Sequence, residues 1–484
     1  MYLSSIALTN VRSMESLEID LTSGDGSNRR WTLLLGENGC GKSSVLKAIG
    51  LLLAGTEGLA TLLENPDSWI RNDAKSCRID GAITTRKGES QRISLEIHRG
   101  DKLHDILARN AQTLAIIDKA AEAVGHDAVV LGYGVSRRPA DASTSLLPSD
   151  KAPKAGRAGG LASMFTPGFS LVSLQRWAMD LHYQRGTTAL KTIRSALDQL
   201  LPEMSFTRID RRLGDLMFAT VDGDIPLAQL SDGYQNMAAW CGDLLYRLTQ
   251  AYPSRKNPLD AAGVLLIDEI DLHLHPVWQR QLMEFLSAML PNFQFIATTH
   301  SALTAQQSGK GELFVIRREG PKQRPTLIPF VGEPRFMMLH QLLMSPMFGL
   351  DSMDSLAVED ARKAARTLRS DRKSLSAPTR RALSEQAKLL QEVPDRTAVT
   401  PHEREKLALL QDIKAALDGA SGAGGKKSST PKRKPTAAAA AVKTASVAAQ
   451  TVKAKTQAAK KVAAKTTARK SPSVKAPGRS AAND

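Results

Sequence analysis

A glycine-rich segment near the start of the chain has the composition of a phosphate-binding loop. Residues 36–43 read GENGCGKS. Glycine lets a loop bring its backbone N–H groups close to phosphate oxygens, a lysine at this spacing reaches the β- and γ-phosphates, and the serine after it can hold Mg²⁺. The segment predicts binding of a nucleoside triphosphate by a set of neighbouring residues: Gly36, Glu37, Asn38, Gly39, Cys40, Gly41, Lys42, Ser43 and Ser44.

Two acidic residues follow a continuous apolar run later in the chain. Residues 263–267 (GVLLI) are typical of a strand buried on both faces, and Asp268 and Glu269 come directly after it. Asp268 would bind Mg²⁺, directly or through water, and Glu269 would polarise the water that attacks a γ-phosphate. The next apolar run, residues 293–297, is followed by TTHS, which predicts that His300 lies at the same sheet edge. A lone histidine is more often structural, but this position favours a role at the site.

The segments beside the glycine-rich loop predict the elements that would position it. Residues 31–35 (WTLLL) form a short, apolar, strand-like run before the loop, and residues 44–53 (SVLKAIGLLL) have a helix-like pattern after it. A bound phosphate would then lie at a helix N-terminus, which favours anions. We therefore expect an α/β fold of the P-loop NTPase type.

With LSDGYQ at residues 230–235, these motifs resemble the ABC-type ATPases of the RecF, SMC and OLD group, also described as AAA-family ATP-binding proteins with an ABC-like head. The match also rests on NVRS at residues 10–13 after an N-terminal strand, and on DEIDLHLHP at residues 268–276, where relatives often have DEPELHLHP. The resemblance covers residues 1–350, but within this range residues 60–225 match only weakly. Within these motifs Asp232 replaces the first glycine of LSGGQ and Ile270 replaces a proline, and neither change removes a catalytic group.

The resemblance implies ATP hydrolysis by a head-to-head dimer with two ATPs between the heads. Ser231, Gly233 and Gln235 would lie at the start of a signature helix, where Ser231 and Gly233 would contact the γ-phosphate bound by a second copy. Arg12 would lie near the phosphates, and His300 would be the switch histidine that senses the γ-phosphate.

The metal that the resemblance implies is Mg²⁺, with Ser43 and Asp268 as its ligands. His273 and His275 form an HxH pair, which can also ligate zinc. The family pattern contains the same two histidines, so zinc is the weaker interpretation.

The position of the Q-loop is less clear, because no glutamine stands at a persuasive position. The candidate segment is residues 131–138 (LGYGVSRR), at the end of an apolar strand. Its Arg137 and Arg138 are equally compatible with contact to phosphate or DNA and with a solvated loop.

The motifs divide the chain into five predicted regions. These are an N-terminal part of the head (1–60), a hairpin and helical insertion (61–225), a C-terminal part of the head (226–332), a C-terminal helical region (333–418) and a Lys/Ala-rich tail (419–484). Within them we expect a hairpin over 76–97, a helix over 103–124, a surface loop over 141–160, helices over 171–183 and 187–201, a strand pair at 312–317 and 326–329, and helices over 333–343, 355–370, 376–392 and 401–418.

The basic charge of the chain is concentrated in the tail. Residues 421–484 contain 15 lysines and arginines and one acid, so they carry +14 of the net charge of +16. The tail has no aromatic residue and cannot bury enough apolar area to offset its ordering entropy, which predicts disorder. Its repeated Ala- and Lys-rich composition resembles the tails of linker histones and histone-like bacterial proteins. This favours DNA contact without sequence preference over an extension with no role. The segment KKSSTPKRK would also suit a nuclear import signal, but the family resemblance favours a bacterial protein.

Composition predicts a protein of the reducing cytoplasm. Association with the nucleoid is compatible with this location. The 484 residues and 42% hydrophobic content are ample for two or three domains. Three widely spaced cysteines form neither a disulfide framework nor a CxxC metal site. No long apolar span and no signal-peptide pattern is present in the sequence, so no membrane is expected as a partner.

Three classes of function are consistent with these features. Residues 344–355 (MSPMFGLDSMDS) resemble a turn in the group that includes the Septu-type (PtuA-like) anti-phage ATPases, and 333–418 is too short for the Toprim domain of OLD nucleases. We therefore favour an ATPase acting on or near DNA in genome maintenance (DNA repair) or antiviral defence, with a separate nuclease as partner. The alternatives are an ABC transporter-type subunit, which the RecF-like start disfavours, and a module that binds ATP with little turnover, which an intact Glu269 disfavours.

Overall fold

The computed structural model describes residues 1–84, 88–122, 128–139, 156–166, 168–200, 204–210, 212–252, 255, 257–319, 324–350, 352–370, 376–388 and 390. Most of the predicted surface loop, the predicted helix over 401–418 and the tail lie outside these residues.

In this part of the chain the strands are β1 (Tyr2–Val11), β2 (Met14–Asp20), β3 (Trp31–Gly36), β4 (Ser76–Thr84), β5 (Ser90–His98), β6 (Ala128–Tyr133), β7 (Arg138–Pro139), β8 (Ser170–Leu171), β9 (Ser205–Asp210), β10 (Asp215–Thr220), β11 (Gly223–Pro226), β12 (Ala262–Ile267), β13 (Phe293–Thr299), β14 (Leu313–Glu319) and β15 (Arg324–Pro329). The α-helices are α1 (Lys42–Leu53), α2 (Gly55–Leu62), α3 (Leu103–Arg109), α4 (Ala111–Glu122), α5 (Gly156–Phe165), α6 (Leu174–Leu200), α7 (Asp232–Ala251), α8 (Pro276–Met289), α9 (Ala302–Ala305), α10 (Leu339–Leu343), α11 (Leu356–Ser370) and α12 (Ala377–Lys388).

The central sheet brings the carboxyl ends of several strands to one edge. Its order is β15-β14-β3-β13-β12-β6, and every neighbouring pair is parallel except β14 and β15. The register pairs Ile267 with Ala297, and Thr299 with Leu35. The residues that follow β3, β12 and β13 therefore meet at the same edge, as the sequence predicts.

Helices and a second sheet cover the two faces of the central sheet. On one face, α1 packs in a core cluster shared with the antiparallel sheet β2-β1-β4-β5; this cluster includes Ile49 of α1 and Leu266 of β12. On the other face, α7 contributes Trp240 and Leu244 to a cluster with Leu265 of β12. Burial on both faces explains why β12 is a continuous apolar run.

Several predicted elements are confirmed, and one is divided. The hairpin over 76–97 is formed by β4 and β5, and the strand pair by β14 and β15. The predicted helix over 103–124 is wrong in its continuity, because α3 ends before Asn110 and α4 begins after it. The Asn110 side chain accepts a hydrogen bond from Glu96 N and donates to Glu96 O, both at 2.8 Å, so it pairs with strand β5 at the break.

The loop predicted over 141–160 is wrong for its described end, which begins α5. A Cβ added at Gly160 would lie 2.9 Å from the Val130 carbonyl oxygen. Gly160 therefore allows the helix to lie close against β6 and does not mark a loop.

The two helices predicted over 171–183 and 187–201 are one continuous helix, α6. A glycine lies between the two predicted spans, but a glycine inside a helix lowers helix stability by only about 1 kcal/mol. Burial of Trp177, Ile193 and Leu197 along the same helix outweighs this cost.

The C-terminal helical region is partly as predicted. The helix over 333–343 is wrong in its first half, where Pro334–Phe336 forms a short 3₁₀ turn before α10. Helices α11 and α12 lie within the spans predicted for them. Among the described helices, none combines the length and apolar composition that crossing a membrane requires.

Candidate nucleotide site

The glycine-rich loop connects β3 to α1 in a tight path beside β14. A Cβ at Gly36 would collide with the Ile316 carbonyl oxygen, so glycine is required there. Gly39 and Gly41 have φ values of 75° and 105°, in the region that favours glycine. Lys42 and Ser43 then form the first turn of α1. The loop thus ends at a helix N-terminus, as predicted.

The side chain of Lys42 lies against the loop backbone. Its Nζ donates hydrogen bonds to the carbonyls of Gly36 at 2.8 Å and Glu37 at 2.9 Å. Burial lowers the pKa of this ammonium, while the thiol of Cys40 and the carboxylates of Asp268 and Glu269 act in the opposite direction. The loop lysine and the acids after β12 are therefore close enough to interact. Of the other loop residues, Glu37, Asn38 and Gly39 are exposed and Cys40 is buried.

Thr298, on β13, holds both acidic residues that follow β12. Its hydroxyl donates to Asp268 Oδ1 at 2.6 Å and accepts the backbone N–H of Glu269 at 2.7 Å. The Asp268 N–H donates to the Tyr133 carbonyl on β6 at 2.8 Å. Glu269 has φ of 48°, the left-handed region that non-glycine residues seldom adopt. The neighbouring strands thus fix the backbone of both acids.

His300 lies beside Glu269, as the strand order predicts. Its Nε2 is 3.9 Å from Glu269 Oε1. Burial lowers the pKa of His300, as does the positive charge of Lys42, although the nearby acids oppose both effects. The imidazole is therefore mainly neutral at pH 7 and can donate a hydrogen bond from one nitrogen.

Two arginines approach the glycine-rich loop from other elements. Arg12 Nη1 donates to Ser44 Oγ at 3.2 Å, and its Cζ lies 4.2 Å from the centre of the Trp69 ring. Arg318, on β14, donates from Nη2 to the Gly39 carbonyl at 2.8 Å. The sequence predicts Arg12 near the loop but gives no signal for Arg318, whose partner is a backbone atom.

Arg137 lies in the interior, where its guanidinium contacts the backbone of Asp268 and Glu269. The interpretation as a solvated loop is therefore wrong for this residue. The candidate Q-loop over 131–138 begins inside β6 and reaches β7, and the side chain of Arg138 is outside the described part.

The signature residues lie at the start of α7. Ser231 directly precedes the helix, and Gly233 lies in its first turn, where an added Cβ would be 3.0 Å from the His273 carbonyl oxygen. Gln235 Nε2 donates to the Leu230 carbonyl at 2.7 Å. Among the described contacts, no hydrogen bond or ion pair joins Ser231, Gly233 or Gln235 to the loop.

The HxH histidines have a structural position at the start of α8. His275 Nδ1 accepts the Val277 N–H at 3.4 Å and so caps this helix. His273 is exposed and has φ of 64°. In the described residues, no three His, Cys, Asp or Glu side chains are grouped so that they could hold a metal ion.

Comparison with known proteins places these motifs in a family context. A model described as AAA ATPase domain matches residues 1–106, and one described as AAA domain, putative AbiEii toxin, Type IV TA system matches residues 182–305. The Septu protein PtuA of Bacillus mycoides (strain KBAB4) is 28% identical over 359 residues, which cover 73% of this chain and 46% of that protein. The chain is related to Septu PtuA. The predicted resemblance to this group of ABC-like AAA ATPases is confirmed.

A second curated relative and a solved structure are also similar to parts of the chain. The Retron Ec83 probable ATPase of Escherichia coli is 31% identical over 202 residues, which cover 39% of this chain and 37% of that protein. The chain spans less than half the length of each of these two curated relatives, Septu PtuA and the Retron Ec83 probable ATPase. The SMC head domain from Thermotoga maritima is 14% identical with a TM-score of 0.37, over 69% of this chain and 100% of that one.

Proposed function

We propose that the chain binds ATP at the loop of residues 36–44 and hydrolyses it, with Glu269 as the base that polarises the attacking water. The arrangement of Lys42, Asp268, Glu269 and His300 at one sheet edge carries this proposal. The loop backbone and Lys42 would bind the phosphates, and the Glu269 side chain, 31% exposed, is accessible to a water molecule.

The oxygen atoms at the site fit Mg²⁺. Ser43 is in the first turn of α1, and the buried Asp268 carboxylate accepts a described hydrogen bond only at Oδ1. Oxygen ligands of this kind are those that Mg²⁺ prefers. Bound with ATP, the ion would neutralise charge on the phosphates. Ser43 and Asp268 would hold it.

The roles of the surrounding side chains follow from their charge and position. His300, as a neutral imidazole beside Glu269, would donate a hydrogen bond to a γ-phosphate oxygen. Arg12 would add positive charge near the start of α1, where Ser44 and Trp69 hold it. Both residues would bind nucleotide more strongly when the γ-phosphate is present.

We further propose a head-to-head homodimer in which each site is completed by the other copy. Ser231 and Gly233 lie at the N-terminus of α7, whose backbone N–H groups favour a phosphate. These residues have no described contact with their own chain's loop, which supports a role at the loop of a second copy. ATP binding would close the two heads, and hydrolysis would reopen them.

The relationship to Septu PtuA and to a retron ATPase supports a role in anti-phage defence, with a separate nuclease as partner. The tail over 419–484 would contact DNA through its charge. The protein would act in the cytoplasm, at or near the nucleoid.

Two substitutions test the proposed chemistry. Lys42→Ala should abolish ATP binding, because it removes the ammonium from the phosphate loop. Glu269→Gln should preserve binding, reduce phosphate release to a small residual rate and trap the dimer with ATP. The matched control is Glu284→Gln, an exposed acid on α8. Phosphate release and size-exclusion chromatography with and without ATP are the measurements, and equal turnover in Glu269→Gln and the wild type would refute the assignment of the base.

A further inference from the structure

Arg137 is a buried cation whose described hydrogen bonds all go to backbone carbonyl groups. The residue is only 7% exposed. Burial lowers its pKa and the carboxylates of Asp268, Asp271 and Glu269 raise it, but no acidic residue of the described part forms an ion pair with it. Burying a charge without a paired opposite charge is costly. An arginine in this position therefore requires an explanation in what its guanidinium contacts.

The guanidinium binds the two peptide groups that flank Glu269. Its Nη2 donates to the carbonyl oxygens of Asp268 and Glu269, and its Nε donates to the Gly134 carbonyl at 3.0 Å. The Asp268 carbonyl belongs to the peptide before Glu269, and the Glu269 carbonyl to the peptide after it.

Thr298 holds the opposite sides of the same two peptide groups. The Glu269 N–H donates to Thr298 Oγ1 at 2.7 Å, and the Ile270 N–H donates to the Thr298 carbonyl at 2.9 Å. Each peptide is thus bound at its carbonyl by Arg137 and at its N–H by Thr298. Together the two residues determine the backbone dihedrals of Glu269.

Arg137 and Thr298 together form a clamp on the backbone of Glu269. This clamp explains how Glu269 keeps an unfavourable backbone conformation. A left-handed conformation persists in a non-glycine residue only when its surroundings hold it in place. If either pair of hydrogen bonds were lost, the backbone could relax and the carboxylate would point elsewhere. Lysine cannot replace the clamp, because a guanidinium donates from several nitrogens in a fixed plane and an ammonium from one.

We propose that Arg137 is a positioning residue, which aims the Glu269 carboxylate by fixing the two peptide groups on either side of it. The inference rests on the proposed function, because it assigns Glu269 as the base. It goes beyond that function by making hydrolysis depend on an arginine that forms no described hydrogen bond or ion pair with the glycine-rich loop or with an acidic side chain.

The test compares Arg137→Lys with a matched arginine on the same sheet. Arg30 precedes β3, at the opposite edge, and its Nη2 likewise donates to two carbonyls, those of Ser287 and Leu290. Arg137→Lys should lower kcat for ATP about 100-fold, the loss expected from misplacing a catalytic group by about 1 Å. KM and the affinity for a fluorescent ATP analogue should change less than about threefold, since the loop is untouched. Arg30→Lys should keep the wild-type kcat.

A double variant separates positioning from a general structural role. If Arg137 acts through Glu269, adding Arg137→Lys to Glu269→Gln should not lower the residual rate further. An equal loss in both backgrounds would overturn the proposal.

Chemical rescue gives a second measurement. A cavity of about 430 Å³ adjoins Arg137, lined also by Ser136 and Trp240, and could admit a small cation in Arg137→Ala. Ethylguanidinium should restore turnover of this variant at least about tenfold, and ethylammonium should not, because only the guanidinium reproduces the donor pattern.

The outcomes distinguish the inference from the function on which it rests. A wild-type protein without ATP turnover would refute the proposed function and the inference with it. Wild-type turnover together with an unchanged kcat in Arg137→Lys would refute the inference alone.

Discussion

Asp243 is the position on α7 where a single substitution should most weaken packing against the central sheet. Its carboxylate is fully buried and accepts hydrogen bonds from Tyr133 Oη at 2.9 Å, Arg247 Nε at 2.6 Å and Val172 N at 3.0 Å. The Tyr133 carbonyl in turn accepts the Asp268 N–H. The network therefore connects the signature helix to the strand that supports the acidic residues.

Asp243→Ala would leave three donors without their acceptor, of which Tyr133 Oη is buried and the other two are partly buried. Removing one partner of a buried ion pair costs about 3–5 kcal/mol, and we expect a loss of this size in the free energy of unfolding. Tyr133→Phe removes only one hydrogen bond to a charged acceptor and should cost about 1.5–3 kcal/mol. The exposed Asp222→Ala is the control and should change stability by less than about 0.5 kcal/mol.

Urea unfolding followed by tryptophan fluorescence measures these differences, because Trp240 lies on the same helix with its ring 5.7 Å from that of Tyr133. The reasoning would be refuted if Asp243→Ala lost less than about 1 kcal/mol, the typical contribution of a single hydrogen bond. It would also be refuted if Tyr133→Phe were the more destabilising change.

Three further perturbations test other parts of the structure. Because burial and the charge of Lys42 hold the pKa of His300 below 6.5, ATP turnover should persist at pH 6.5 and fall as the imidazole protonates at lower pH. An identical pH–rate profile in His300→Gln would contradict this role of His300. Gly36→Ala should weaken nucleotide binding at least about tenfold, since the added Cβ meets the Ile316 carbonyl, whereas Gly24→Ala, in open space, should bind as the wild type does. Deletion of residues 419–484 should weaken duplex DNA binding and flatten its salt dependence, by about 0.9 in the log–log slope per lost phosphate contact; equal binding by both proteins at every salt concentration would exclude the tail as the DNA contact.

The parts of the site that the sequence predicts are those encoded by local patterns. Glycine spacing and a short apolar run identify the loop from Gly36 and the strand before it. The acids follow a strand buried on both faces, and His300 follows the next strand, so the edge at which they meet can be inferred from strand order alone. The structure agrees at each of these points.

The parts that the sequence misses depend on contacts between distant segments. Arg137 binds carbonyl oxygens 131 and 132 positions away, and any residue type presents a carbonyl, so no pattern marks the partner. The glycine-rich start of α5 has the composition of a loop, but the small size of Gly160 allows close packing on β6. Similarly, Asn110 divides a helical pattern because its amide pairs with β5.

The most direct test of the account is complementation between two inactive variants, because the central claim is a site shared by two copies. Lys42→Ala removes the loop function and Ser231→Arg the signature function, so each protein alone should be inactive. In a mixed dimer, the intact Lys42 of one copy meets the intact Ser231 of the other. Random assortment makes half of the dimers mixed with one working site each, so an equal mixture should recover about a quarter of wild-type phosphate release. If wild-type protein hydrolyses ATP and the mixture stays as inactive as its components, the shared site is contradicted.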